Sequence, residues 1–115
     1  MGSRRFLLHL EDGLREAVEI DDIYYLEARE GDKLVRLRRK KPKIDRRRFE
    51  VIVPMVERAG LLRVYREYVV NVDRIRFLRL RDGSREWEIV LDPPVNAVIP
   101  VSRQHYPRLM RTFKE

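Results

Sequence analysis

The sequence predicts a mostly antiparallel β domain with two short helices. Three observations carry that prediction: the dominant hydrophobic period is two, the apolar segments are short, and Asp-Gly or Gly-Asp turn signals divide them. Residues 4–10 (RRFLLHL) are apolar enough for a strand, and Glu11-Asp12-Gly13 follows with the Asp-Gly pair of a hairpin. Residues 14–20 resume with Leu14, Ala17, Val18 and Ile20. Asp21-Asp22 marks a turn before residues 23–28 (IYYLEA), which are rich in strand formers. Glu30-Gly31-Asp32 is the next turn, and residues 33–39 read as a two-faced strand.

Lys40-Lys41-Pro42-Lys43 is a basic connection, after which residues 44–53 are predicted to be extended. Pro54 suits the first position of a short helix over 54–59, with Gly60 as its left-handed stop. Residues 61–64 and 68–70 are strand-like, and 71–75 form a turn. Residues 76–81 (RFLRLR) and 86–91 (EWEIVL) alternate about the Asp82-Gly83 turn, the clearest hairpin in the sequence. Asp92-Pro93-Pro94 interrupts, residues 95–101 return to strand, and Tyr106, Leu109, Met110 and Phe113 trace one face of a closing helix. With no linker or repeat, residues 4–115 are expected to form a single domain, preceded by Met1-Gly2-Ser3 as a native start or an added one.

The composition excludes several classes. The 115 residues hold 26 Lys+Arg against 19 Asp+Glu, for a net charge of +7, and only five of those cations are lysine. That arginine bias points to forked contacts with phosphates, base edges or carboxylates. A hydrophobic content of 43% is too high for a disordered basic tail. With no cysteine there is no disulfide framework, thiol catalysis or zinc ribbon. No apolar run approaches the roughly 18 residues of a membrane span, and no signal region follows Met1, so a cytoplasmic protein is expected.

Catalysis finds few candidates. Ser3, Ser84 and Ser102 all lack a nucleophile-elbow context. His9 lies within an apolar strand and is read as a packed or half-exposed strand residue rather than a ligand. Asp21-Asp22 with Glu27 has oxygen donors suited to a divalent cation, but the preferred reading is a turn plus a surface charge. No enzyme activity, cofactor or metal is therefore expected. The cations are the stronger lead. Arg36, Arg38, Arg46, Arg48, Arg76, Arg79 and Arg81 alternate along strands, and half or more are read as a solvated, carboxylate-paired sheet face. The runs Arg38-Arg39-Lys40-Lys41 and Arg46-Arg47-Arg48 are denser than solubility requires. They indicate a polyanion without choosing between DNA, RNA and acidic lipid.

Three stretches are sharper, because each places polar residues where strands end. Residues 63–71 (RVYREYVVN) set Arg66 and Glu67 among flanking valines. Residues 101–105 (VSRQH) put the N-cap serine Ser102 before a helix, so nearby backbone N–H groups can face an anion, with Arg103 and Gln104 beside it. Residues 29–33 read as a charged loop that offers Arg29 and Lys33. Arginines displayed from loops of a β scaffold suit the major groove, where a guanidinium fork meets guanine O6 and N7. The competing reading of Arg103 is a surface arginine at a helix start, where the dipole slightly disfavours a cation.

These stretches resemble the LytTR domain, the DNA-binding module of LytR/AlgR-type bacterial transcription regulators. Ile23-Tyr24-Tyr25-Leu26-Glu27-Ala28 is similar to the family's I-x-Y-[IL]-E-A strand. Residues 63–71, followed by Asp73 and Ile75, resemble its R-x-H-R-S-[YF]-[LV]-V-N-x-x-x-I signature. Pro100-Val101-Ser102-Arg103 resembles its [IL]-P-V-S-R ending. In order and spacing the three cover nearly the whole chain. The resemblance implies an elongated arrangement of short antiparallel strands in small sheets, with one or two short helices. It also implies sequence-specific binding of double-stranded DNA, with loops entering successive major grooves over direct repeats. By position, Arg66 and Arg103 inherit the family's DNA contacts, and the stretch after Ala28 supplies a third region, represented by Arg29 and Lys33. Ser102 and Gln104 flank Arg103 in the same motif.

The chain departs from the pattern at Tyr65, where His is usual, and at Glu67, where Ser is usual. Pro107 falls inside the closing helix, so that helix begins again near Tyr106 or its first turn is distorted. Asp92-Pro93-Pro94-Val95-Asn96 lengthens the last connection. Family members usually carry this module behind a receiver, a sensor or membrane spans, so the chain is expected to be an excised effector half or a stand-alone regulator, with two copies either pairing or sitting side by side on repeated DNA sites. Tyr65 and Glu67 motivate a rival, a protein-interaction module that has kept the fold and lost operator reading. Single-stranded RNA binding would need exposed aromatics for stacking, whereas Tyr24, Tyr25 and Trp87 sit in predicted strands.

Overall fold

The computed structural model describes residues 4–39 and 41–114. Met1-Gly2-Ser3, Lys40 of the basic connection and Glu115 at the expected domain end lie outside the described residues. Strands β1 (Arg5–His9) and β2 (Arg15–Glu19) pair antiparallel in a two-stranded ribbon. The predicted Asp-Gly turn closes it, with the Leu10 N–H on the Leu14 carbonyl at 2.8 Å. A 3-10 turn, Ile20–Asp22, leads into β3 (Ile23–Arg29) and β4 (Asp32–Leu37).

The β3–β4 connection is shorter than the charged loop predicted over 29–33. Arg29 and Asp32 face each other as the last pair of the ladder, leaving only Glu30 and Gly31 to turn the chain. Their φ values of 49° and 85° are both positive, as a two-residue type I′ turn requires. Arg29 and Lys33 are therefore strand residues.

After β5 (Lys43–Asp45) the structure departs from the prediction again. Residues 44–53 were expected to be extended and Pro54 to open a helix, but helix α1 runs over Phe49–Arg58 with Pro54 inside it. The helix starts with the Val51 and Ile52 N–H groups on the Arg48 carbonyl, so its nucleus forms before the proline. Val51-Ile52-Val53 has strand propensity, yet as helix it buries Ile52, Val53 and Val56 together. Tertiary burial outweighs propensity here. Pro54 is exposed, so the carbonyl it leaves unmatched, that of Glu50, can reach water. Gly60, at φ 108°, stops the helix as predicted.

Strands β6 (Leu61–Tyr65) and β7 (Tyr68–Asn71) form a hairpin, and a 3-10 turn, Val72–Arg74, precedes β8 (Ile75–Leu80) and β9 (Trp87–Leu91). The last elements are β10 (Val98–Val101) and helix α2 (Tyr106–Met110). Pro107 sits at the second residue of α2, so the closing helix does begin at Tyr106. The strands form three antiparallel sheets: β1-β2, β5-β4-β3-β7-β6 and β10-β9-β8. This is the mostly β architecture of small sheets with two short helices that the sequence predicted, spread over 46 × 36 × 25 Å.

The five-stranded sheet is the central layer because its strands are apolar on both faces. Leu26, Leu61 and Val69 pack with Ile52, Val53 and Val56 of α1 and with Leu8 and Val18 of the ribbon. Leu62, Val64 and Val70 point the other way, onto Ile89, Leu91, Ile99, Val101 and Leu109. Successive residues of β6 and β7 thus enter opposite cores. Tyr24 is fully buried, donates its hydroxyl to the Pro93 carbonyl at 2.9 Å and is flanked by the guanidinium groups of Arg38 and Arg74. Asn71, also buried, donates to the carbonyls of Ile20 and Ile23 while its Oδ1 accepts from the Asp73 N–H. One side chain thereby ties the central sheet to the turns on either side of it.

Candidate nucleic-acid interface

Two backbone hydrogen bonds bring the three predicted stretches to one edge of the central sheet. The Ala28 N–H donates to the Glu67 carbonyl at 2.9 Å, joining the β3–β4 tip to the β6–β7 tip. The Ser102 N–H donates to the Val64 carbonyl at 2.9 Å, joining the loop after β10 to the same β6–β7 tip. The Arg66 turn therefore lies between the other two. Residues far apart in sequence become neighbours because each loop caps an adjoining strand end.

Arg66 projects from this turn with its side chain 90% exposed, and the nearest carboxylate oxygen, on Glu67, is 4.0 Å away. At that distance, exposed and screened by water, the pair is weak. The turn beneath it is held firmly. Arg63 donates from Nε and Nη2 to the Arg66 carbonyl, forks onto both carboxylate oxygens of Glu50 at 3.2 Å, and lies over the Phe49 ring at 5.1 Å. Helix α1 thus braces the hairpin that carries Arg66. Tyr65 packs beside Tyr68, with ring centroids 6.2 Å apart.

Arg103 and Gln104 are exposed and make no hydrogen bond or ion pair among the described residues. Ser102 shapes the loop that carries them. Its carbonyl accepts from the His105 and Tyr106 N–H groups at 3.1 and 3.0 Å, and its Oγ lies 2.6 Å from His105 Nδ1. Ser102 therefore caps the turn before α2, whereas the N-cap residue of α2 itself is His105. The N–H groups of His105 and Tyr106 point inward to Ser102, unlike the anion-facing arrangement predicted for this helix start. Burial, then the nearby Arg63 and Arg108, hold the His105 pKa below 6.5, with Glu57 opposing. His105 is thus neutral near pH 7, and in its Nε2–H tautomer Ser102 Oγ can donate to Nδ1.

In the β3–β4 region, Arg29 forks onto Glu27 through Nε and Nη2 at 3.1 and 3.3 Å, and Glu27 also accepts from the Tyr68 hydroxyl at 3.2 Å. The Arg29 guanidinium is thus aligned by a nearly buried carboxylate, which raises its pKa through the hydrogen bond and the opposite charge. Lys33 reaches back to the Gly31 carbonyl at 3.2 Å.

Elsewhere the structure sorts the arginines as expected for a paired sheet face. Arg38 pairs with Asp22, Arg79 with Glu88, and Arg81 with Glu86 and Glu88. The run Arg46-Arg47-Arg48 splits into three roles. Arg46 pairs with Glu11, Arg48 precedes α1, and Arg47 turns inward. Arg47 and its backbone N–H bind the buried Asp45, which also accepts from the His9 N–H at 3.0 Å. This cluster ties β1 to β5, and no charge count could have separated Arg47 from its neighbours. The predicted oxygen donors do not assemble either: Asp21 pairs with Arg4, Asp22 with Arg38 and Glu27 with Arg29. Among the described residues no cluster of acidic or histidine side chains is arranged to hold a metal ion, and no helix is long and apolar enough to cross a membrane.

The sequence reading passed over one part of this edge. The β8–β9 connection carries Arg85, exposed and unpaired among the described residues, into a groove shared with Arg103. An arginine beside the Asp82-Gly83 turn signal was the available clue.

A small-sheet β domain with exposed cationic side chains gathered on one edge belongs to the class of polyanion-binding modules. Comparison with known proteins narrows the class to a family. The family described as "LytTr DNA-binding domain" matches residues 15–114, so the chain belongs to the LytTR family of DNA-binding domains. Among solved structures, the chain is similar to the LytTr DNA-binding domain of a Bacillus cereus protein described as a methyl-accepting/DNA response regulator. The two share 19% sequence identity at a TM-score of 0.73, over 95% of this chain and 98% of that one. A search of the curated proteins found no match.

Proposed function

We propose that this domain is the effector of a bacterial transcription regulator and binds double-stranded DNA in a sequence-specific manner. The observation that carries the proposal is the convergence of Arg66 and Arg103 on one edge, both exposed, Arg66 with only a 4.0 Å contact to Glu67 and Arg103 with no ion pair among the described residues, while Arg38, Arg63, Arg79 and Arg81 are held by carboxylates. Both enter the major groove, where a fork reads guanine O6 and N7. Arg29, aligned by Glu27, contacts the backbone together with Lys33. Gln104 offers an amide beside Arg103, and Ser102 fixes the loop that presents both. Direct repeats would seat two copies side by side, with the controlling signal arriving from a receiver or sensor domain.

The test is a fluorescence-anisotropy titration against pooled random duplexes at two salt concentrations, with bound DNA recovered and sequenced. A repeated motif that persists at higher salt is the expected result. Arg103→Ala should then cost about 1–3 kcal/mol on the selected site and relax preference at one base position. Equal losses on selected and random duplexes would make Arg103 a backbone contact. Steeply salt-dependent binding with no enriched motif would overturn operator reading and favour a protein-interaction module.

A further inference from the structure

We infer that the β8–β9 hairpin is a further DNA-binding element and that Arg85 contacts a backbone phosphate of the same duplex. This rests on the DNA-binding reading above and adds a fourth region to it. The groove beside the Arg103 loop is lined by Arg103, Tyr106, Tyr65, Trp87, Arg81 and Arg85, so the hairpin and the loop form two walls of one surface. The walls are fixed relative to each other. Trp87 stacks on Tyr106 with centroids 5.4 Å apart and planes at 21°, which locks the start of β9 against the residues just after Arg103.

The hairpin is built to display its arginine. The Arg81 N–H donates to the Glu86 carbonyl at 2.9 Å, the Ser84 N–H to the Arg81 carbonyl at 3.1 Å, and the Glu86 N–H to Ser84 Oγ at 2.8 Å. Of the three carboxylates of this hairpin, Glu86 holds Arg81 and Glu88 holds Arg79 and Arg81, while Asp82, exposed in the turn, makes no ion pair among the described residues. Arg85, between these pairs, makes no hydrogen bond or ion pair among the described residues. A stable, hydrogen-bonded turn that leaves one guanidinium unmatched presents a fork to an external anion. Phosphates line both rims of the major groove, so a cation on the wall beside a groove-reading Arg103 faces a rim.

A phosphate contact has a signature that a base contact lacks. Each one releases counterions and contributes about 0.9 to the slope of log affinity against log salt. We would measure that slope on the selected duplex for the wild-type chain, Arg85→Gln and Arg85→Lys. Arg58→Gln serves as a control, because Arg58 is an exposed arginine on α1, whose buried face packs on the opposite side of the central sheet. Arg85→Gln should lower the slope by about 0.9, leave the recovered motif unchanged, and lose about threefold less affinity than wild type between 50 and 200 mM salt. Arg85→Lys should keep the wild-type slope, and so should Arg58→Gln. Equal slopes for Arg85→Gln and the wild type overturn the inference while leaving the DNA reading intact. Equal drops for Arg85→Gln and Arg58→Gln overturn it too, because bulk charge then accounts for both. Failure of the wild-type chain to bind duplex DNA overturns the DNA reading and this inference together.

Discussion

Asp45 is fully buried, and its carboxylate is the hub on which Arg47 and the His9 backbone meet. Burial alone would raise its pKa. The Arg47 fork and the N–H groups of His9 and Arg47 outweigh that and hold it below 3.8. The folded carboxyl is therefore depressed relative to the unfolded one, so its contribution is complete above about pH 4 and is lost as pH falls toward the folded value. Asp45→Ala would strand the Arg47 charge and should cost about 3 kcal/mol, read by urea unfolding at pH 7. The cost should shrink when the titration is repeated near pH 3, and an unchanged cost at both pH values would refute this account. The neighbouring Arg46 meets only the exposed Glu11, and Arg48 has no carboxylate partner among the described residues, so neutral substitutions there should stay within about 0.5 kcal/mol.

At the scale of elements, helix α1 and the β6–β7 hairpin are coupled through Arg63. Its guanidinium holds the Arg66 carbonyl on one side and Glu50 on the other. Arg63→Met keeps the stem over Phe49 but removes the brace. The loss of stability should be modest, about 1 kcal/mol, because Glu50 is largely exposed. Hydrogen exchange at the Glu67 and Tyr68 amides should quicken, and affinity for a selected duplex should fall more than the stability change explains. Unchanged exchange and affinity would show that the hairpin holds Arg66 without help. The first half of the helix that provides this brace, residues 49–53, was predicted as extended, since its β-branched run has the wrong propensity and its packing partners are remote in sequence.

For the whole molecule, the central sheet is shared by two hydrophobic clusters, one under α1 and the ribbon, the other under β8–β10 and α2. Residues such as Val69 and Val70 are adjacent in the chain and bury in different clusters, so neither core can open without disturbing the other's wall. Leu26→Ala and Ile89→Ala, one in each cluster, should each cost about 2–5 kcal/mol and leave one cooperative thermal transition. A two-step melt in either variant would show the clusters to be independent. The same coupling fixes the DNA-facing edge, because its loops are anchored in strands of two different sheets.

The sequence by itself determined the strands outside residues 46–53, the Asp-Gly and Glu-Gly turns and the family signature, because period-two alternation and turn chemistry are local and need no partner to be read. It also picked out Arg66 and Arg103, as residues flanked by strand signals. Only the tertiary structure decided which arginines remain available to a ligand. Arg47 forks onto Asp45 and Arg63 onto Glu50, while Arg85 and Arg103 keep theirs open. Where the carboxylate is close in sequence, as Asp45 is to Arg47, local reading still cannot tell a buried pair from two solvated charges. Burial is set by the layers above and below the sheet, and those layers come from distant parts of the chain.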